Sequence, residues 1–197
     1  MLIYLHGFNS SSQSYKARLV GRAMADRGRA HEYRCPDLPH DPGEAFKFLD
    51  GELTALAGTP VVLIGSSLGG FYATWLAERH GCNAALVNPA VRPYELLSGY
   101  LGPQRNLYNG TTYELTRAHI DALRAHEVEV ITPSRYFLIT CTGDEVLDYR
   151  AGVDRYRGAR QIVVEGSDHG FSDFAGYVDT VIAYHDEVAA AGSPARL

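Results

Sequence analysis

The chain is predicted to adopt an α/β fold with a mainly parallel sheet and helices on both faces. Three observations predict it. Short apolar runs alternate with segments of helical spacing, the central run passes straight into a helix through Gly65-Ser66-Ser67-Leu68-Gly69, and polar groups suited to chemistry collect just after the runs.

The apolar runs lie at Leu2-Leu5, around His31-Cys35, and at Val61-Ile64, Ala84-Val87, Tyr136-Cys141 and Gln161-Val164, and read as six strands. Helical spacing covers roughly Tyr15-Arg27, Glu44-Leu56, Leu68-His80, Thr112-His126, Tyr149-Tyr156 and Ser172-Ala189. Such alternation implies right-handed crossovers, and ligands then sit beyond the carboxyl ends of the strands. At 197 residues and 46% hydrophobic content, the chain suits one domain, expected over 1–191, with 192–197 as a frayed tail. Residues 92–127 exceed the needs of one crossover and carry Pro93, Pro103 and four tyrosines. A small cap-like excursion over the site and an ordinary irregular connection are equal expectations there.

A net charge of -5 disfavours the basic face that nucleic acid or anionic lipid would require. The opening apolar run is interrupted by His6 and Gly7, and no later stretch reaches the length of a membrane span, so a cytoplasmic protein is expected. Cys35, Cys82 and Cys141 lack disulfide or zinc spacing and read as buried thiols. No Walker A lysine, Gly-x-Gly-x-x-Gly or His-Glu-x-x-His pattern occurs, and neither metal nor organic cofactor is expected.

Ser67 stands at a strand-to-helix junction with glycine two residues before and two after it. A sharp turn there lifts the hydroxyl into the open, and Gly65 and Gly69 allow backbone contact where a Cβ would collide. Ser66 would be flanked by Ile64 and Leu68 and reads as structural. A nucleophilic serine needs a base, and of eight histidines His169 is preferred, because Gly166-Ser167-Asp168-His169-Gly170 follows the last strand. The base needs a carboxylate, and Asp144 follows the fifth strand, with Glu145, Asp148 and Asp168 as rivals. The backbone N–H groups of Leu68 and of Phe8, the latter reached by a turn at Gly7, are the expected oxyanion donors. Arg92, Tyr94 and Tyr149 flank strand ends and are candidates for the substrate pocket, alongside a packing role.

These segments resemble the α/β-hydrolase superfamily, and more closely the small bacterial YqiA/YcfP-like esterases. The resemblance rests on Tyr4-Leu5-His6-Gly7-Phe8-Asn9-Ser10-Ser11, Gly65 to Ala73, Asn88-Pro89-Ala90-Val91-Arg92-Pro93, Thr142 to Tyr149 and Gly166-Ser167-Asp168-His169. It implies a reduced α/β-hydrolase fold with sheet order 2-1-3-4-5-6. It also implies esterase activity on acyl esters, short-chain esters or acyl thioesters among them, through a Ser67, Asp144 and His169 triad. Acyltransferase or amidase chemistry with the same triad, and a non-catalytic binding protein on the same fold, are the competing expectations.

Overall fold

The computed structural model describes residues 1–191, so the expected tail at 192–197 lies outside the described residues. Among the described residues, eight strands and seven α-helices follow one another: β1 (Leu2–Leu5), α1 (Tyr15–Asp26), β2 (Tyr33–Arg34), α2 (Pro42–Ala55), β3 (Val62–Ser66), α3 (Leu68–His80), β4 (Asn83–Val87), α4 (Pro93–Leu97), β5 (Gly102–Arg105), β6 (Thr112–Leu115), α5 (Arg117–Ala125), β7 (Tyr136–Cys141), α6 (Tyr149–Arg155), β8 (Arg160–Val164) and α7 (Val178–Ala191).

Six strands form one sheet in the order β2-β1-β3-β4-β7-β8, every neighbouring pair parallel. Counting only this sheet's strands, that is the expected order 2-1-3-4-5-6. The central strands are apolar on both faces because helices cover both. Leu2, Tyr4, Val62, Ile64, Phe137 and Ile139 pack with Ala17, Val20 and Met24 of α1 and Val181 and Ile182 of α7. Their neighbours Ile3, Leu5, Leu63 and Leu138 point the other way and pack with Phe46 and Leu49 of α2, Phe71 and Leu76 of α3, and Ile120 and Leu123 of α5. This period-two division is why a one-residue slip of any central strand would invert its core contacts.

Local signals fix the helix ends. Asp41 caps α2 by accepting from the Gly43 and Glu44 N–H groups, with Pro42 in the first turn, and α3 stops at Gly81, whose φ is +70°. The helix expected over Thr112-His126 is shortened at its start. Thr112–Leu115 pairs antiparallel with Gly102–Arg105 instead, and α5 starts only at Arg117. Thr112 and Tyr113 favour a strand once a partner is present, and Thr116 caps the shortened helix. The region 92–127 is thus a short helix, a β5–β6 hairpin and α5. Smaller adjustments fall at Ala30–Glu32 and Phe174–Tyr177, which are 3-10 turns preceding β2 and α7.

Candidate active site

β3 delivers Ser67 into the first position before α3 with φ 54° and ψ −122°, a conformation that L-residues rarely hold. Close packing maintains it. A Cβ on Gly65 would lie 2.5 Å from the Gly69 carbonyl oxygen, and one on Gly69 would overlap the Leu5 carbonyl. Gly7 is pressed against the serine, since its Cβ would sit 3.1 Å from Ser67 Cβ. Gly70 makes a further close approach: its Cβ would stand 2.6 Å from Pro89 Cβ. The Ser67 carbonyl accepts from the N–H groups of Gly70, at 2.9 Å, and Ala90, at 3.0 Å.

The loop after β8 brings His169 Nε2 to 3.1 Å from Ser67 Oγ. Its other ring nitrogen, Nδ1, lies 3.0 and 2.9 Å from the two carboxylate oxygens of Asp144, beyond β7. The Asp144 side chain is 1% exposed and also accepts from the Val146 and Leu147 N–H groups, at 2.9 and 2.8 Å. Burial opposes its charge, but the His169 hydrogen bond and the backbone donors outweigh burial and hold the carboxyl below its ordinary value. An ionised Asp144 keeps the His169 proton on Nδ1 and leaves Nε2 as an acceptor for the serine hydroxyl.

The rival carboxylates have other partners. Asp148 caps α6 through the Arg150 N–H, Asp168 accepts from the backbone N–H and hydroxyl of Ser172, and Glu145 accepts from the His169 backbone N–H at 2.9 Å. Glu145 therefore holds the histidine's loop while Asp144 holds its ring.

Two further residues brace this loop. Asn88, 1% exposed at the end of β4, donates to the Asp168 and His169 carbonyls and accepts from the Cys141 N–H, joining three strand ends. Lys16, on α1, donates from Nζ to the Gly170 carbonyl at 2.7 Å, and burial lowers its pKa to about 8. Neither role follows from local sequence, although a lysine in line with inward-facing Val20 is a usable signal for Lys16.

Across the serine, the Phe8 and Leu68 N–H groups have no acceptor among the described residues. Leu68 opens α3, whose first N–H groups carry partial positive charge. The loop carrying Phe8 is fixed by His6, whose Nε2 accepts from the Leu38 N–H at 3.0 Å, leaving Nδ1 to donate to the Gly7 carbonyl at 3.1 Å. His6 is thus a structural histidine, and burial lowers its pKa.

Two cavities reach Ser67 and His169. Arg92, Tyr94 and Tyr149 line neither. The Tyr94 hydroxyl donates to Glu127, and the Arg124 guanidinium lies over its ring. Arg92 turns outward towards Glu95 and Glu127, and Tyr149 carries the Arg150 guanidinium on its face. The cavity near α4 is lined mostly by apolar residues, and the one near α1 by polar and aromatic residues together. Among the described residues no cluster of three or more His, Cys, Asp or Glu side chains is arranged to hold a metal, and no helix is long and apolar enough to cross a membrane.

The same architecture recurs in solved structures. Alpha/beta hydrolase domain-containing protein 10 from mouse superposes with a TM-score of 0.68 at 18% identity, covering 95% of this chain and 90% of that one. Est1E from Butyrivibrio proteoclasticus gives 0.68 at 17% identity over 96% and 88%. The esterase domain of a Rhodothermus marinus protein gives 0.68 at 18% identity over 94% and 86%. At these identities the likeness establishes the α/β-hydrolase fold.

In sequence, a UPF0227 protein of Klebsiella pneumoniae is 29% identical over 100 residues, 50% of this chain and 56% of that protein. The chain spans just over half the length of that relative and of one from Shewanella woodyi. The protein Shewana3_2292 of Shewanella sp. strain ANA-3 is 22% identical over 93% of this chain and 98% of its own length. Residues 1–186 match the family described as "Uncharacterised protein family (UPF0227)", and to that family, on an α/β-hydrolase fold, the chain belongs.

Proposed function

We propose that the protein is a serine hydrolase that cleaves acyl esters, thioesters included, through an acyl-serine intermediate, with Ser67 as nucleophile, His169 as general base and Asp144 as its orienting carboxylate. The single observation that carries this reading is the unbroken chain Asp144–His169–Ser67, with all three contacts within 3.1 Å. Such a sequence of contacts moves a proton off a hydroxyl as it attacks.

In the first step the Ser67 oxygen bonds to the acyl carbon while its proton passes to His169 Nε2. The carbonyl oxygen gains negative charge, which the free N–H groups of Phe8 and Leu68 stabilise. The imidazolium formed is stabilised by Asp144 and gives its proton to the departing alcohol or thiol. Water then enters, loses a proton to His169 and attacks the acyl-serine, releasing the acid and restoring the hydroxyl.

The esterase domain among the fold neighbours supports hydrolysis as the reaction class. Acyl transfer and amide cleavage share the intermediate and differ only in the nucleophile or leaving group. The test is hydrolysis of p-nitrophenyl butyrate. Wild-type protein turns it over, and Ser67→Ala lowers kcat/KM by about a thousandfold or more with folding unchanged. Equal hydrolysis by wild type and Ser67→Ala would overturn the assignment.

A further inference from the structure

The two cavities at Ser67 differ in chemistry, and the difference bears on which ester fits. One, of about 220 Å³, is lined by Ala90, Pro93, Leu96 and Leu97 on one wall and by Val146 and Leu147 on the other. Leu96 is 36% exposed, Val146 44% and nearby Tyr100 53%, so a cluster of large apolar side chains is left open to solvent beside the serine. Apolar surface arranged around a concavity favours an apolar occupant.

The other cavity, of about 500 Å³, also reaches Ser67 and lies by the tip of the β5–β6 hairpin, where Leu107 and Tyr108 line it. Its floor is the start of α1. Ser14 stands at the N-cap position there without capping the helix, is 8% exposed, and its hydroxyl lies near the Tyr4 phenol without a well-formed hydrogen bond to any described residue. A buried hydroxyl left unpaired costs free energy unless a ligand or water meets it. Lys16 beside it is 9% exposed and spends one ammonium proton on the Gly170 carbonyl, leaving two. Ser10, Glu145 and Asp168 also line this space, together with the aromatic rings of Tyr4, Phe8 and Tyr15 and the side chain of Leu107. The lining thus offers donors and acceptors together. One ammonium against two carboxylates gives no positive excess to hold a phosphate.

Resting on the ester-hydrolase reading above, we propose that Ser67 divides an acyl cavity from an alcohol cavity, and that the substrate is an ester of a short apolar acid with an uncharged, hydroxyl-rich alcohol. The acyl chain lies against Leu96, Leu97, Val146 and Leu147. The alcohol's hydroxyl groups pair with Lys16, Ser14 and Glu145, and His169 returns a proton to the ester oxygen as the alcohol leaves.

The test compares kcat/KM for ethyl butyrate, 1-monobutyrin and butyryl-coenzyme A, in wild type, Lys16→Met and Ser14→Ala, with p-nitrophenyl esters from acetate to decanoate as a second series. The expected result is a preference for monobutyrin over ethyl butyrate of about tenfold, the worth of one hydrogen bond to a charged group. That ratio falls towards one in Lys16→Met and by a smaller factor in Ser14→Ala, and butyryl-coenzyme A is the poorest of the three. In the acyl series kcat/KM rises by up to about fourfold per methylene and then drops when the cavity is full. A wild-type ratio near one, an unchanged ratio in both variants, or a preference for the anionic thioester would overturn the proposal. Because Ser14→Ala removes only a hydroxyl, it keeps the test decisive if Lys16→Met does not fold. Turnover of p-nitrophenyl butyrate with no alcohol preference refutes this inference alone, whereas no turnover and no fluorophosphonate adduct refutes the hydrolase reading with it.

Discussion

The turn at Gly65–Gly70 and the hairpin at Gly102–Leu115 both bear on Ser67, but different forces hold them. In the turn, the constraint is steric: the Ser67 conformation is possible because Gly65, Gly69 and Gly70 lack Cβ atoms that would strike Gly69, Leu5 and Pro89. In the hairpin, the constraint is polar and distant. Tyr113 donates its hydroxyl to Asn9, Asn9 donates to Gln104, and Asn106 donates to the Ser10 carbonyl, between residues 104, 95 and 96 apart in sequence. The Leu107 N–H adds a bond to the Asn9 carbonyl, and Asn9 is held at φ 52°. The hairpin thereby grips the loop that follows Phe8, while its tip lines the larger cavity. A steric demand restricts residue type over a few adjacent positions. A polar clamp between remote segments restricts each position only through its partner.

That contrast makes graded predictions. Gly69→Ala has the largest effect, because its Cβ would occupy the Leu5 carbonyl and the central strand cannot yield. The variant is expected to lose its cooperative unfolding transition by circular dichroism, and a stable, native-like Gly69→Ala would break the steric account of the turn.

Lys16 probes a distant polar contact at a buried charge. Burial lowers its pKa from 10.5 to about 8, against the carboxylates of Asp168 and Asp144, which act to raise it. A base whose folded pKa is depressed destabilises the fold fully below the folded value, and the penalty disappears as pH rises through 8 towards 10.5. The stability of Lys16→Met relative to wild type, read from urea unfolding, is therefore greatest near pH 7 and declines by on the order of 3 kcal/mol by pH 10.5. A difference independent of pH would contradict the buried ammonium.

Asn88→Ala removes three bonds at once and leaves the buried Cys141 N–H unpaired, which costs about 2 kcal/mol in the same assay. It also lowers kcat more than it raises KM, since the loop carrying His169 loses its brace. Tyr113→Phe deletes one bond of the clamp and costs about 1 kcal/mol. A fall in ester turnover without a change in Ser67 labelling capacity would tie the hairpin to the Phe8 loop. Gly51→Ala, in α2 with nothing near its Cβ position, is the control: it stabilises by about 0.5 to 1 kcal/mol, setting an ordinary glycine apart from those of the turn.

The same contrast explains what was legible in sequence. Ser67, Asp144 and His169 each follow a strand, and the paired glycines mark the serine, so residue type and position sufficed to name three groups that the structure brings into contact. The sheet order came from the family resemblance, because alternation alone specifies parallel strands without ordering them. The second strand of the hairpin reads as the start of a helix because Thr112-Tyr113-Glu114 becomes a strand only beside Gly102–Arg105. Arg92, Tyr94 and Tyr149 satisfied the rule that sites lie beyond strand ends, yet Glu127, Arg124, Glu95 and Arg150 occupy them. Asn88 and Lys16 were unassigned because their partners, the carbonyls of the His169 loop, carry no residue-type signature.

The central claim is that Ser67 is an activated nucleophile, and intact-mass analysis of the folded protein after fluorophosphonate treatment tests it most directly. One adduct is expected, located on Ser67, absent in Ser67→Ala and formed far more slowly in His169→Ala. No adduct on the folded wild-type protein, or an adduct on another residue that persists in Ser67→Ala, would contradict it.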